Sequence, residues 1–271
     1  MNKHKVLTSE FIISNIYSYL SLVENIQIFK EQLYDKNRDI NKLIKGFELY
    51  LNELKEIDYK VVNINLFKNI NPNGTKLKDS IKKLKNVSNV NNLPNKLTHL
   101  VFSNDFNQLI GKYILPNTIT HLTFGNDFNQ PIVDYVLPNT LTHLTFGNNF
   151  NQLMGEYVLP NSITHLTFGY YFEQRIDENV LPEKLTHLTF GTYFDEPIFE
   201  NELPKSLTHL TFGSHFDQPI DENVLPKNLT HLTFGYYFNQ PINQHILPNT
   251  LTHLTFGSHF DEPINKNILQ N

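Results

Sequence analysis

From Leu93 onward the apolar positions of the chain return with a fixed period. One unit carries Leu115, Ile119, Leu122, Phe124, Phe128, Ile132 and Val136, and their counterparts recur 22 residues later. The units begin at Leu93, Leu115, Leu137, Leu159, Leu181, Leu203, Leu225 and Leu247, and the last runs to Asn271. Their shared pattern is Leu-Pro-x-x-Leu-Thr-His-Leu-Thr-Phe-Gly-x-x-Phe-Asn-Gln-Pro-Ile, three variable residues, then Val or Ile. Eight copies without insertion or deletion imply identical units stacked in register. Seven apolar side chains per unit cannot offset the entropy of ordering 22 backbones, so a unit is stable only between neighbours.

The period also selects the geometry. Helical repeats need more residues than this, and proline at the start, proline midway and glycine between them leave no room for a useful helix. Ile119-x-x-Leu122-x-Phe124 fits the strand of a leucine-rich repeat. Each unit is therefore read as one short parallel strand, a turn at glycine and an irregular return. Strand alternation puts Leu122 and Phe124 inside, with Ile119 at the bend. His121 and Thr123 then face outward. Stacking predicts a ladder of His99, His121, His143, His165, His187, His209, His231 and His253 on the exposed sheet face. Beside it runs a second ladder of Thr123, Thr145, Thr167, Thr189, Thr211 and Thr233, whose first rung is Val101.

The first ninety residues follow other periods. Thr8 or Ser9 can cap a helix whose apolar face is Ile12, Ile13, Ile16 and Leu20. Ser21-Leu22-Val23-Glu24 has the form of a capping box opening a second helix through Ile26 and Phe29. Ile40, Leu43, Ile44, Phe47, Leu51 and Leu54 give a third. These elements make residues 1–60 a helical module. Residues 61–92 form a joint. Val61–Phe67 alternates like a strand, Asn71-Pro72-Asn73-Gly74 turns, and Leu77–Leu84 is a worn copy of the repeat, lying 16 residues before unit one instead of 22. This degenerate first coil would cap the array 93–271, with Lys76, Lys78, Lys82, Lys83 and Lys85 as a solvated outer face.

Composition narrows the function. There is no cysteine, which removes disulfides, thiolate metal sites and a cysteine nucleophile, and fits an intracellular protein. No apolar run is long enough to span a bilayer, and no signal peptide is read at the N-terminus. Residues 1–92 hold 15 Lys and Arg against 10 Asp and Glu, a net +5, whereas residues 93–271 hold 7 against 17, a net −10. An acidic array is poorly suited to a phosphate backbone, so neither nucleic acid nor membrane is an expected partner.

The array resembles the FNIP repeats, a leucine-rich-repeat-like family met in amoebae and in giant DNA viruses that infect them. The naming motif stands here as Phe128-Asn129-Gln130-Pro131 and Phe238-Asn239-Gln240-Pro241. Asp replaces Asn at Asp195, Asp217 and Asp261, while Leu109, Leu153 and Arg175 replace the proline. Residues near the N-terminus resemble an F-box, the module that docks substrate receptors on the SKP adaptor of cullin–RING ubiquitin ligases. Leu7, Glu10, Ile16, Tyr19-Leu20 and Leu22 follow its order, with Thr8 where the family usually has proline. That resemblance implies adaptor contacts at Leu7, Thr8, Ile13, Ile16, Leu20 and Leu22, and, for a viral protein, action in the host cytoplasm.

The expectation is an α+β repeat protein, a helical F-box-like module followed by a leucine-rich-repeat-like solenoid. A straight histidine column is a poor metal site and eight identical copies are not a catalytic one, so no enzyme, metal or cofactor is expected. The imidazoles are expected to bond to each other or to threonines and to titrate low. The residues after each glycine vary: Tyr170, Tyr171, Tyr193, His215, Tyr236, Tyr237 and His259 form either interface material at the sheet rim or a loop open to drift. Function is expected to lie in capture of an unidentified target protein, with an SKP-type adaptor bound at the N-terminus. The alternative is a scaffold or competitive binder of host proteins whose N-terminus is only a cap. End-to-end self-association of the array is a further expectation.

Overall fold

The structure is a computed structural model that describes residues 61–63, 82–90, 93–243 and 245–264. The chain divides into two compact units, Met1–Lys55 and Glu56–Asn271, and the described residues belong to the second. The helices and adaptor positions expected within residues 1–60 lie outside the described residues.

Among the described residues ten short strands make one parallel sheet in simple chain order. They are β1 Val61–Asn63, β2 Lys83–Val87, β3 His99–Phe102 and then one per repeat. β4 to β10 are His121–Thr123, His143–Thr145, His165–Thr167, His187–Thr189, His209–Thr211, His231–Thr233 and His253–Thr255. From β3 to β10 the register never slips: histidine pairs with histidine and leucine with leucine. β2 joins with Lys83 opposite His99 and Leu84 opposite Leu100, the 16-residue offset expected of the worn copy. An irregularity between Leu84 and Val87 absorbs its different length.

Nothing helical occurs among the described residues; the return of each coil is a chain of tight turns. The Leu-Pro corner closes with Ile119 N–H donating to the Pro116 carbonyl at 3.1 Å. Thr118 Oγ1 stitches that corner to the preceding coil by donating to the Asn95 and Leu97 carbonyls. Before the last position of the coil, which is Val, Ile or in one repeat Glu202, the backbone enters the left-handed region, at Tyr113, Tyr135 and Tyr157 in the first three repeats and at Asn179, Asn201 and Asn223 in later ones. Asparagine tolerates that conformation better than tyrosine does.

The turn expected at the glycine is present, and from β4 onward the glycine close after each strand has a second role. Gly125 opens a turn that Phe128 N–H closes on its carbonyl, yet no φ in the left-handed region requires glycine there. Space requires it. A Cβ on Gly147 would lie 1.8 Å from the Gly125 carbonyl oxygen, and the contact recurs along the array.

The interior is built from columns. Leu122 and Phe124 point inward, and Ile119 is fully buried. Each coil stacks its two phenylalanines, such as Phe146 and Phe150, at 3.8–4.0 Å between ring centroids. Between coils the Phe124-type rings are 5.4–5.8 Å apart and the Phe128-type rings 5.8–6.2 Å. The histidine rings on the sheet face are only 4.1–4.2 Å apart. Successive coils therefore fan apart from the sheet inward, which curves the array with the sheet on its inner side.

The Phe-Asn motif also has a structural cause that the sequence did not reveal. Asn107 Oδ1 accepts from the backbone N–H of Asn129 and from Gln130 Nε2; Asn129 does the same for Asn151 and Gln152, and Asn151 for Glu173 and Gln174. The ladder resumes where Asp195 serves Asp217 and Gln218, and Asp217 serves Asn239 and Gln240. Each rung needs one oxygen on a short side chain, which is why Asp substitutes freely for Asn. Asn129→Ala is expected to destabilise the array by about 1–3 kcal/mol, because it strands two donors of the next coil. Urea unfolding checks this, and Asn129→Asp should recover most of the loss.

One pair of departures from the consensus explains itself. Glu202 stands where other repeats have Val or Ile, and it is buried. Its Oε2 accepts from Phe199 N–H at 2.7 Å, and Arg175, in the proline position of the neighbouring coil, reaches Oε1 at 3.4 Å.

Candidate interaction surface: the histidine column and the aromatic rim

Alternation along a three-residue strand leaves two outward side chains per rung, a histidine and a threonine. The eight histidines form one column with adjacent rings inclined by only 8–13°. The face is less open than the sequence implies. Its histidines and threonines are half-buried against their neighbours, and only the last rung, His253 and Thr255, is exposed.

A third threonine orders this column. The residue before each histidine, Thr142 for His143, places Oγ1 2.9 Å from imidazole Nδ1. The same hydroxyl donates to the carbonyl one coil back, 3.0 Å away at Thr120. Both contacts recur at all eight rungs. The sequence alone allows the imidazoles to bond either to one another or to threonine. Threonine is the partner, and the rings meet only face to face.

Electrostatics follow from crowding. Partial burial lowers the pKa of His99, His121 and His143, and neighbouring histidines lower them further, with Lys83 acting on the first two. His187 is lowered to about 4, first by burial and then by His165 and His209. Such a histidine binds fewer protons folded than unfolded between its unfolded value, about 6.5, and its folded one. Its stabilising contribution is complete above that window and is lost as pH falls through it. The thermal midpoint is thus expected to fall between pH 6.5 and 4, more steeply than in a His143→Phe/His187→Phe variant. Parallel slopes in the two proteins would show that carboxylates alone set the acid response.

The stacked geometry does not make a chelate. A metal about 2.0–2.1 Å from two nitrogens cannot lie on both lone pairs when the rings stand parallel and side by side. Among the described residues no three His, Asp or Glu side chains converge to hold a metal ion, and no helix is long and apolar enough to cross a membrane.

The rim adds a second feature. Tyr171 stacks on Tyr193 at 5.5 Å and Tyr193 on His215 at 4.3 Å; Tyr237 and His259 continue the line. Tyr170 and Tyr236 stand edge-on to their neighbours Tyr171 and Tyr237. Backbone bonds from Tyr193 to Tyr170 and from His215 to Thr192 fix the spacing. The aromatic stripe occupies repeats four to eight, whereas the first three repeats hold Asn and Asp at the same positions. Its signal was present in the sequence as an aromatic at the second place after every glycine from Gly169 on.

The FNIP Repeat family matches residues 89–127, 128–171, 150–193, 194–237 and 238–269, most of the chain. The chain belongs to the FNIP repeat family. A crystal structure of CroV588, described as a novel circular LRR protein structure, is similar at 56% identity with a TM-score of 0.69. The match covers 72% of the present chain but only 30% of that one. YopM from Yersinia enterocolitica WA-314 is a distant match, at 18% identity and a TM-score of 0.33 over 69% of this chain and 47% of that one. No curated protein matches.

Proposed function

We propose that this FNIP protein is a non-catalytic receptor whose array holds a target protein and whose residues 1–60 bind an SKP-type adaptor. Through that adaptor it would bring the target to a cullin–RING ubiquitin ligase, acting in the host cytoplasm if the protein is viral. The observation that carries the reading is the surface itself. Eight repeats spend their leucines, phenylalanines and asparagines on holding the stack, and leave one ordered polar face beside a rim whose residues differ from coil to coil. A constant scaffold with a variable edge suits recognition of a protein surface. The adaptor half of the proposal draws on Leu7, Glu10, Ile16, Leu20 and Leu22 and on the F-box resemblance.

A pull-down of the full chain with purified SKP-type adaptor tests it. Binding is expected, with loss in a Leu7→Ala/Ile16→Ala variant whose array still melts normally. Failure to bind, under conditions where an established F-box protein binds, would leave the array as a scaffold or competitive binder without a ligase.

A further inference from the structure

The hydrogens of the column can be placed by elimination. Each threonine hydroxyl has one hydrogen and two neighbours: a carbonyl oxygen at 3.0–3.2 Å and a histidine Nδ1 at 2.9 Å. That carbonyl already accepts the backbone N–H groups of the threonine and the histidine, so it brings only acceptor lone pairs to the hydroxyl. If the hydroxyl hydrogen went to the imidazole, the two oxygens would face each other at 3.0–3.2 Å without a hydrogen at every rung. A carbonyl cannot supply the missing hydrogen. With the hydrogen on the carbonyl, Nδ1–H donates to the hydroxyl oxygen and every contact holds one proton. The neutral imidazole then has its free lone pair on Nε2, the ring nitrogen that threonine does not engage.

From this we infer that the sheet face is a row of hydrogen-bond acceptors whose partner is an extended, basic segment rich in lysine or arginine donors. The inference rests on the proposed reading of this face as the binding surface and names what it takes. A carboxylate or phosphate would set lone pair against lone pair along the column. A donor-bearing strand would not, and the net charge of −10 over residues 93–271 favours a cationic one. Lys83, at the head of the column, is a cation on β2 and disfavours a basic group at that end, so the segment is placed over the later rungs. Acid reverses the face without breaking the threonine bonds, since an imidazolium keeps Nδ1–H and gains a donor at Nε2.

Two measurements on the full chain test this. With 15N-labelled histidine at pH 7.5, the column imidazoles are expected as the Nδ1–H tautomer; an Nε2–H pattern overturns the inference. Fluorescent hexa-arginine, hexa-glutamate and glycine–serine peptides are then titrated at 150 mM salt, which screens the distant charges. Hexa-arginine should bind best and weaken at least tenfold in His165→Phe/His187→Phe, which keeps stacked rings and removes two acceptors. Equal affinity for wild type and variant, or no preference for the basic peptide, overturns it. Should the double variant not fold, the single His187→Phe is used, with a threefold loss expected and an unchanged affinity counting against the inference. Adaptor capture is scored separately, so a basic peptide that fails while the adaptor still binds removes this inference and leaves the receptor reading standing.

Discussion

Gly169→Ala is expected to destabilise the array by about 3 kcal/mol or more, although it adds only one carbon. A Cβ at Gly169 would stand 1.7 Å from the Gly147 carbonyl oxygen and 2.5 Å from its carbon. Both are backbone atoms, so no side chain can swing aside. Relief requires the two coils to part, and parting them breaks the Thr164 and His165 bonds to the Thr142 carbonyl. Gly155→Ala is the matched control. Its Cβ would meet only Val158 Cγ2 at 3.5 Å, an ordinary contact, and no left-handed φ is imposed there. That variant should lie within about 1 kcal/mol of the parent and on the stabilising side, because it restricts the unfolded chain. Urea unfolding followed by circular dichroism measures both. Similar losses for the two variants would mean that the close approach between coils relaxes cheaply.

The strands, their parallel register and the inward residues were legible because a strict period leaves few ways to stack a unit. Even the 16-residue offset of Leu84 from Leu100 could be read, since leucine spacing survives where the rest of the motif has worn away. The turn at the glycine was legible, but the reason glycine is needed there was not. A sequence shows that glycine is required without showing whether φ or space requires it, and here the neighbour responsible lies 22 residues away. The asparagine ladder was hidden in the same way. Asn129 looked like a family signature, but its oxygen works on the coil after its own.

The histidine face divides similarly. Its existence and its column could be read from alternation, whereas the identity of its hydrogen-bond partner could not. Thr142 and Thr145 look equivalent in Leu-Thr-His-Leu-Thr. One is tied to a carbonyl and to His143, and the other lies outward in the second ladder. The aromatic rim was named residue by residue from the sequence, yet its continuity depended on stacking distances that only packed coils provide.

Phe150→Ala is expected to cost about 3–5 kcal/mol, and its position in the array decides where in that range it falls. The ring is fully buried, 3.9 Å from Phe146 in its own coil and 6.1–6.2 Å from Phe128 and Phe172 on either side. Its loss opens a gap shared by three coils, in a solenoid whose stability is a sum of nearest-neighbour contacts. Phe260→Ala removes the same group at a partly buried site, where Phe256 and Phe238 are its ring neighbours. Phe260→Ala should therefore cost markedly less and fray the final described coil without weakening the centre. Amide exchange separates the two: Phe150→Ala should lower protection on both sides of repeat three, and Phe260→Ala only around β10. Equal costs, or exchange that rises evenly along the whole array, would contradict nearest-neighbour coupling. The array would then unfold as one cooperative body.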